Sequence, residues 1–97
     1  MGLDVSIEDQ LHRRERPGAD VNSALVRLIA LGAPGGLLAD VFEWGDTMFN
    51  FPQMEKLDLE IQEIEGQDTG TRKDVDLVRG AIRSAMHKRG YIWISGD

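Results

Sequence analysis

The sequence contains no cysteine among its 97 residues. Disulfides, zinc–thiolate sites and thiol catalysis are therefore excluded, and the reducing cytoplasm is the expected location. No run of about 18 apolar residues occurs, so the sequence predicts no membrane-spanning helix. Aromatic residues make up only 6% of the chain, and the hydrophobic content of 41% suffices for one modest core. We therefore expect residues 1–97 to form a single domain.

Positive charge is scarce in the middle of the chain. Residues 37–66 contain eight acidic side chains and one basic side chain, whereas residues 1–36 and 67–97 carry net charges of −1 and +2. An acidic middle third argues against direct binding to nucleic acid or to an anionic membrane surface. This charge distribution favours a protein partner with a basic surface.

Two segments have the pattern of β-strands. Residues 3–8 alternate apolar and polar side chains, which is typical of a half-buried strand with its apolar residues facing the core. Residues 91–95 are aromatic or β-branched on both faces, so this strand is expected inside a sheet or between a sheet and a helix layer. We expect these two terminal strands to pair, and a core position for Trp93 follows if the strand is covered on both faces.

Three segments have helical periodicity, at residues 21–31, 53–65 and 72–89. Asp20 or Asn22 is expected to cap the first helix, Asn50 with Gln53 the second, and Thr71 with Asp74 the third. Each of the last two helices has an apolar stripe that should face the core: Met54, Leu57, Ile61 and Ile64 in the second, and Val75, Val78, Ile82, Ala85 and Met86 in the third.

The expected fold class is α+β, with a small single-layer sheet covered on one face by about three helices. Gly45 and Asp46 predict a tight turn between the first and second helices, since glycine accepts positive φ and aspartate bonds its own backbone. Residues 37–42 fit a short third strand or an irregular apolar segment equally well.

The stretch Gly45-Asp46-Thr47-Met48-Phe49-Asn50, followed by Gln53 and by the aromatic ending Tyr91-Ile92-Trp93-Ile94-Ser95-Gly96-Asp97, resembles a known group of small bacterial proteins. Members of that uncharacterised group share a GDTxFNxxQ core and an aromatic C-terminal strand that ends in Gly-Asp. The resemblance covers residues 38–97 and implies no activity. This chain departs from the group at Glu43-Trp44, where a Pro-Tyr pair is usual, and in its helix over residues 21–31.

Four carboxylates, those of Asp40, Glu43, Asp46 and Asp97, form the one candidate acidic cluster. Paired acids can carry out acid–base catalysis or bind a divalent cation, so a metal- or small-molecule-dependent enzyme built around Asp46 is the alternative function. The spacing matches no calcium-binding loop, and a turn at Asp46 explains that residue equally well. We assign no catalytic residue, metal ligand or cofactor from the sequence.

The loop over residues 9–18 places His12 near Arg13, Arg14 and Arg16. Such a group could bind phosphate or an acidic ligand. The alternative is a solvated loop that is neutralised by Glu8, Asp9 and Glu15, as is usual for charge runs.

The leading functional hypothesis is a small acidic cytoplasmic protein-binding module. It would act as an inhibitor, an immunity-type protein or a phage antagonist by occluding a basic partner surface, and a homodimer is compatible with it. The predicted partner-binding residues are Glu55, Leu59 and Glu63 on the second helix, with Trp44 and Asp46 at the central turn.

Overall fold

The computed structural model of the chain describes residues 2–96 and has an α+β fold. In chain order the elements are β1 (Leu3–Glu8), β2 (Arg14–Glu15), α1 (Ala19–Ile29), β3 (Asp46–Phe49), α2 (Phe51–Gln67), α3 (Arg72–His87) and β4 (Tyr91–Gly96). Short 3₁₀ turns at Leu38–Asp40 and Thr69–Thr71 precede β3 and α3. No helix within residues 2–96 is long and apolar enough to cross a membrane.

The sheet is antiparallel, and its strand order is β2-β1-β4-β3. The two terminal strands pair over their whole lengths, from Leu3 opposite Gly96 to Glu8 opposite Tyr91. This confirms the predicted pairing of the chain ends. It also makes β4 an interior strand, which accounts for its high content of aromatic and β-branched residues.

One face of the sheet is covered by helices: α1 and α3 pack on β1, and α3 also packs on β4. Side chains alternate along each strand, so Ile92 and Ile94 are buried in the core while Trp93 lies on the opposite face and is only half-buried. The core position considered for Trp93 is therefore wrong. The indole Nε1 donates to Glu8 Oε2 at 2.9 Å, and the Arg14 guanidinium lies 4.8 Å from the ring centroid.

Of the two alternatives for residues 37–42, the structure shows the irregular segment and not the strand. Residues 38–40 form a 3₁₀ turn. Two strands are present besides the terminal pair: β2, which lies inside the loop predicted over residues 9–18, and β3, which pairs with β4 and buries Phe49. The predicted turn at Gly45 and Asp46 is correspondingly displaced: the turn occupies residues 43–45, and Asp46 begins the strand. Four residues carry too little periodicity to identify a strand without its partner.

The capping predictions were correct for α2 and wrong for the other two helices. Asn50 Oδ1 accepts the Gln53 N–H at 3.0 Å, and Gln53 Oε1 accepts the Asn50 N–H at 2.9 Å, which is the predicted capping box. In contrast, the N-cap of α1 is Gly18, which has no side chain that could cap the helix. Asn22 lies inside the helix, and its Oδ1 accepts the N–H of Val5 at 2.8 Å. Thr71 occupies the N-cap position of α3, but its side chain makes no capping hydrogen bond.

The apolar stripes of the helices form the core with the inner face of the sheet, as their periodicity predicted. The buried helical residues are Val21, Ala24, Leu25 and Leu28 in α1, Met54, Leu57, Ile61 and Ile64 in α2, and Val75, Val78, Ala81, Ile82 and Ala85 in α3. Met86, which the sequence placed in the stripe of α3, is partly buried and packs against this core.

Candidate partner-binding surface

The exposed side of α2 carries the three predicted helix residues. Leu59 is 61% exposed, and Glu55 and Glu63 are also exposed. Residues four apart lie on the same side of a helix, so these three form one stripe, which we call the α2 stripe. The buried residues Met54, Leu57, Ile61 and Ile64 occupy the opposite side of the helix. The structure therefore brings Glu55, Leu59 and Glu63 together, as the sequence predicted.

Three other acidic residues of α2 contact groups in neighbouring elements. Asp58 Oδ1 accepts the Nε–H of Arg79 in α3 at 2.8 Å, and this hydrogen bond raises the pKa of Arg79. Glu65 lies 3.9 Å from Arg72, also in α3. Glu60 accepts the backbone N–H groups of Leu37 and Leu38 at 2.7 and 3.0 Å, which ties the segment before β3 to α2.

The remaining acidic residues of the middle third belong to the surface. Among residues 2–96, no ion pair involves Asp40, Glu43, Asp46, Glu55 or Glu63. All five are exposed, and Lys56 is the only basic residue between positions 37 and 66. The charge excess that the sequence showed is therefore divided into a structural part inside the fold and a solvent-facing part.

Trp44 and Asp46 lie at the edge of the sheet. Trp44 is 70% exposed in the turn that precedes β3, and Asp46 is the first residue of that strand. The N–H of Gly96 donates to the carbonyl oxygen of Gly45 at 2.8 Å, so the turn is held against the end of β4. No hydrogen bond or ion pair between described residues joins Trp44 or Asp46 to the α2 stripe. The predicted binding residues thus divide between a helix surface and a sheet edge.

Three exposed apolar residues near Trp44 were not identified from the sequence as surface residues. Phe42 is 58% exposed, Met48 is 42% exposed and Phe51 is 40% exposed. The Phe42 ring lies over Gly45, where a Cβ would come within 2.5 Å of the ring. The available sequence signal was the alternation of Met48 with Thr47 and Phe49, which places Met48 on the outer face once residues 46–49 are recognised as a strand.

The acidic residues do not form a cation site within the part of the chain that the structure describes. No group of three or more His, Asp or Glu side chains among residues 2–96 is arranged to hold a metal ion. Asp97, the fourth member of the predicted cluster, lies outside the described residues.

The basic loop at residues 9–16 is neutralised by neighbouring acids. Arg13 pairs with Asp9 at 3.0 Å, Arg14 with Glu8 at 3.3 Å, and Arg16 with Asp4 at 3.5 Å.

Hydrogen bonds also favour the charged forms of two of these acids. The indole N–H of Trp93 lowers the pKa of Glu8, with a smaller effect from Arg14, and the backbone N–H of Arg13 lowers the pKa of Asp9. A groove of about 230 Å³ lies beside this loop, and both of its arginines, Arg13 and Arg14, are paired. These contacts support the solvated-loop interpretation over a phosphate site.

Comparisons with protein-family models, curated proteins and solved structures find no match to this chain. The resemblance to the small bacterial group with the GDTxFNxxQ core therefore stays a prediction.

Proposed function

We propose that this protein is a small cytoplasmic protein-binding module that occludes a basic surface of a partner, as an inhibitor, an immunity-type protein or a phage antagonist. The observation that supports this function is the α2 stripe. Leu59 is exposed between two carboxylates, those of Glu55 and Glu63, which have no ion-pair partner among residues 2–96.

The fold does not require these two carboxylates. Asp58 holds α2 to α3 and Glu60 holds it to the segment before β3, so these contacts between α2 and its neighbours are made without the stripe. Exposed charges without partners contribute little to stability. Glu55 and Glu63 are therefore available to meet cations of a second molecule.

The two residue types of the stripe have different roles in the proposed interaction. Exposed carboxylates attract a basic surface over several ångströms and accelerate encounter, an effect that salt weakens. An apolar side chain ringed by charge is desolvated on contact and slows dissociation. The charges are thus expected to control the association rate, and Leu59 the dissociation rate.

The test is to capture partners from the source cell with the full chain and then to measure their binding kinetics. Replacing both glutamates, as Glu55→Lys with Glu63→Lys, should slow association at low salt by about tenfold or more while the melting temperature stays close to that of the unmodified chain. A matched control, Asp20→Lys with Asp76→Lys, changes the net charge equally at two exposed positions outside the stripe. An unchanged association rate in the stripe variant would refute this surface.

The purified chain and the stripe variant also test whether the protein forms a homodimer. Sedimentation of the purified chain over a range of concentrations distinguishes a monomer that binds a basic partner from a homodimer that buries the stripe. A dimer that the Glu55→Lys and Glu63→Lys changes dissociate would assign the stripe to contacts between copies.

A further inference from the structure

The two edges of the sheet differ in whether their backbone N–H and C=O groups have hydrogen-bond partners. At the β1 edge, β2 pairs with Ile7 and Glu8, and Asn22 Oδ1 accepts the N–H of Val5 at 2.8 Å. Edge strands in native proteins are usually covered or paired in this way, because unpaired backbone groups recruit other strands. The opposite edge is formed by β3, which within residues 2–96 has a strand partner, β4, on one side only.

The backbone groups that β3 presents outward can be identified from its register. Asp46 lies opposite Ser95, and the Gly96 N–H donates to Gly45 O at 2.8 Å, so Gly45 and Gly96 form a hydrogen-bonded pair. Such pairs alternate with non-bonded pairs along an antiparallel ladder. Thr47 and Phe49 therefore bond to β4, while the N–H and C=O groups of Asp46 and Met48 point away from it.

These outward groups are unused in the described part of the chain. Neither the N–H nor the C=O of Asp46 or Met48 takes part in a loop or side-chain hydrogen bond among residues 2–96. Both residues are exposed. The edge thus offers two donors and two acceptors at the spacing of one added strand.

The side chains around this edge define the chemistry of an incoming strand. Trp44, Phe42 and Met48 are 70%, 58% and 42% exposed and provide apolar contact area. Glu43 and Asp46 are exposed carboxylates without an ion-pair partner among residues 2–96. The sequence has no lysine or arginine between Arg27 and Lys56, so no basic residue of this part of the chain offsets their charge.

We propose that the β3 edge binds an extended basic segment of a partner protein, which adds to the sheet as a fifth strand. Main-chain hydrogen bonds to Asp46 and Met48 supply the strand pairing, and alternate lysine or arginine side chains of the segment lie near Glu43 and Asp46. A second copy of this chain fits less well, because two copies that each carry a net charge of −6 would bring their acidic edges together. The inference goes beyond the α2 stripe, since it uses a different surface.

Amide exchange of the ¹⁵N-labelled full chain tests the edge directly. The probe is a synthetic peptide of about ten residues that alternates lysine and valine, and a glutamate–valine peptide of the same length is its control. In the peptide-free protein, Thr47 and Phe49 should exchange slowly and Asp46 and Met48 rapidly. The lysine–valine peptide at millimolar concentration should slow exchange at Asp46 and Met48, and the control peptide should not. No protection at these two amides, or protection by both peptides, would overturn the proposal.

Two substitutions separate main-chain pairing from charge. Met48→Pro removes an outward N–H that the β3–β4 ladder does not use, and proline is tolerated on edge strands in that orientation. Asp46→Lys retains the backbone N–H and C=O groups and reverses the side-chain charge, so it remains a usable test if the proline variant does not fold. Each should weaken peptide binding by about tenfold or more. Wild-type affinity in folded Asp46→Lys would overturn the proposal.

The failure of this inference is distinguishable from the failure of the α2 stripe. The Glu55→Lys and Glu63→Lys variant should weaken binding of the lysine–valine peptide less than Asp46→Lys does, because neither glutamate belongs to β3. If that variant loses peptide binding while Asp46→Lys retains it, the peptide binds the helix and the edge proposal is wrong. A concentration-dependent dimer that Met48→Pro dissociates would instead assign the edge to a second copy of the chain.

Discussion

Arg27 of α1 and Asp74 of α3 are joined by two parallel hydrogen bonds, Nε to Oδ2 and Nη2 to Oδ1, each 2.8 Å long. The guanidinium hydrogen bonds lower the pKa of Asp74 and raise the pKa of Arg27. The sequence had placed Asp74 in a helix cap, whereas its carboxylate in fact links two helices. This bidentate pair makes part of the stability dependent on pH.

A double-mutant cycle with Arg27→Ala and Asp74→Ala should give a small favourable coupling free energy near neutral pH, since Arg27 is mostly exposed and solvent screens the pair. Because folding lowers the pKa of Asp74, the coupling is fully present above the unfolded-state value of about 3.9 and is lost as the pH falls through the lower folded value. Urea unfolding at about pH 7 and about pH 2 measures it. A coupling of equal size at both values would contradict the assignment.

Trp93 and Ile94 lie on opposite faces of β4, so their truncations should differ in cost. Ile94→Ala removes a side chain that is 1% exposed and should lower the free energy of unfolding by about 2–5 kcal/mol. Trp93→Ala loses the contact with Arg14 and the hydrogen bond to Glu8 on a half-buried face, and should cost about 1 kcal/mol. Denaturant unfolding of both variants is the measurement. Equal losses would mean that the outer face of the sheet is covered in solution.

Asn22 should matter for stability through β1, although it is not a helix cap. Asn22→Ala removes the acceptor of the Val5 N–H and should cost about 1–3 kcal/mol, the penalty for an unsatisfied donor in a buried residue. Asp20, the other residue expected to cap α1, is exposed, so Asp20→Ala should change stability by no more than about 0.5 kcal/mol. Thermal melts of the two variants measure both effects. A larger loss of stability for Asp20→Ala than for Asn22→Ala would mean that Asp20 caps α1 after all.

Gly80, in the middle of α3, and Gly90, just before β4, should respond to substitution by alanine in opposite directions. Gly80 lies inside α3 with nothing within 4 Å of an added Cβ, so Gly80→Ala should stabilise the fold by about 0.5–1 kcal/mol. At Gly90 an added Cβ would lie 1.9 Å from the carbonyl oxygen of Glu8, and the strand must shift to accept it. We expect Gly90→Ala to cost about 2 kcal/mol or more. Chemical denaturation measures both variants, and a neutral Gly90→Ala would mean that β1 and β4 separate readily there.

The structural features that local sequence predicted correctly are those whose causes lie within a few residues. The capping box depends on Asn50 and Gln53, three positions apart, and both hydrogen bonds are present. The stripe that begins at Met54 and the six-residue strand β4 have enough periodicity or β-branched content to be recognised alone. The α2 stripe followed directly from the helical spacing of Glu55, Leu59 and Glu63.

Features that depend on a distant partner were predicted poorly. Asn22 and Asp74 have good capping side chains, but Val5 and Arg27 bind them instead. The strand β3 is four residues long and is defined by its pairing with β4. The sequence supplied no information on which acidic residues of the middle third have partners inside the fold.

The sequence by itself determined the α+β class, the helix periodicity, the pairing of the terminal strands and the acidic character of the middle third, because hydrophobic spacing and charge are properties of the chain. The tertiary structure decided which carboxylates have hydrogen-bond partners in other elements and which face of β4 is covered by helices. It also decided that the β1 edge is closed while the β3 edge is open. Those outcomes depend on contacts such as Asp58 with Arg79, 21 residues apart, which exist only when the elements are packed together.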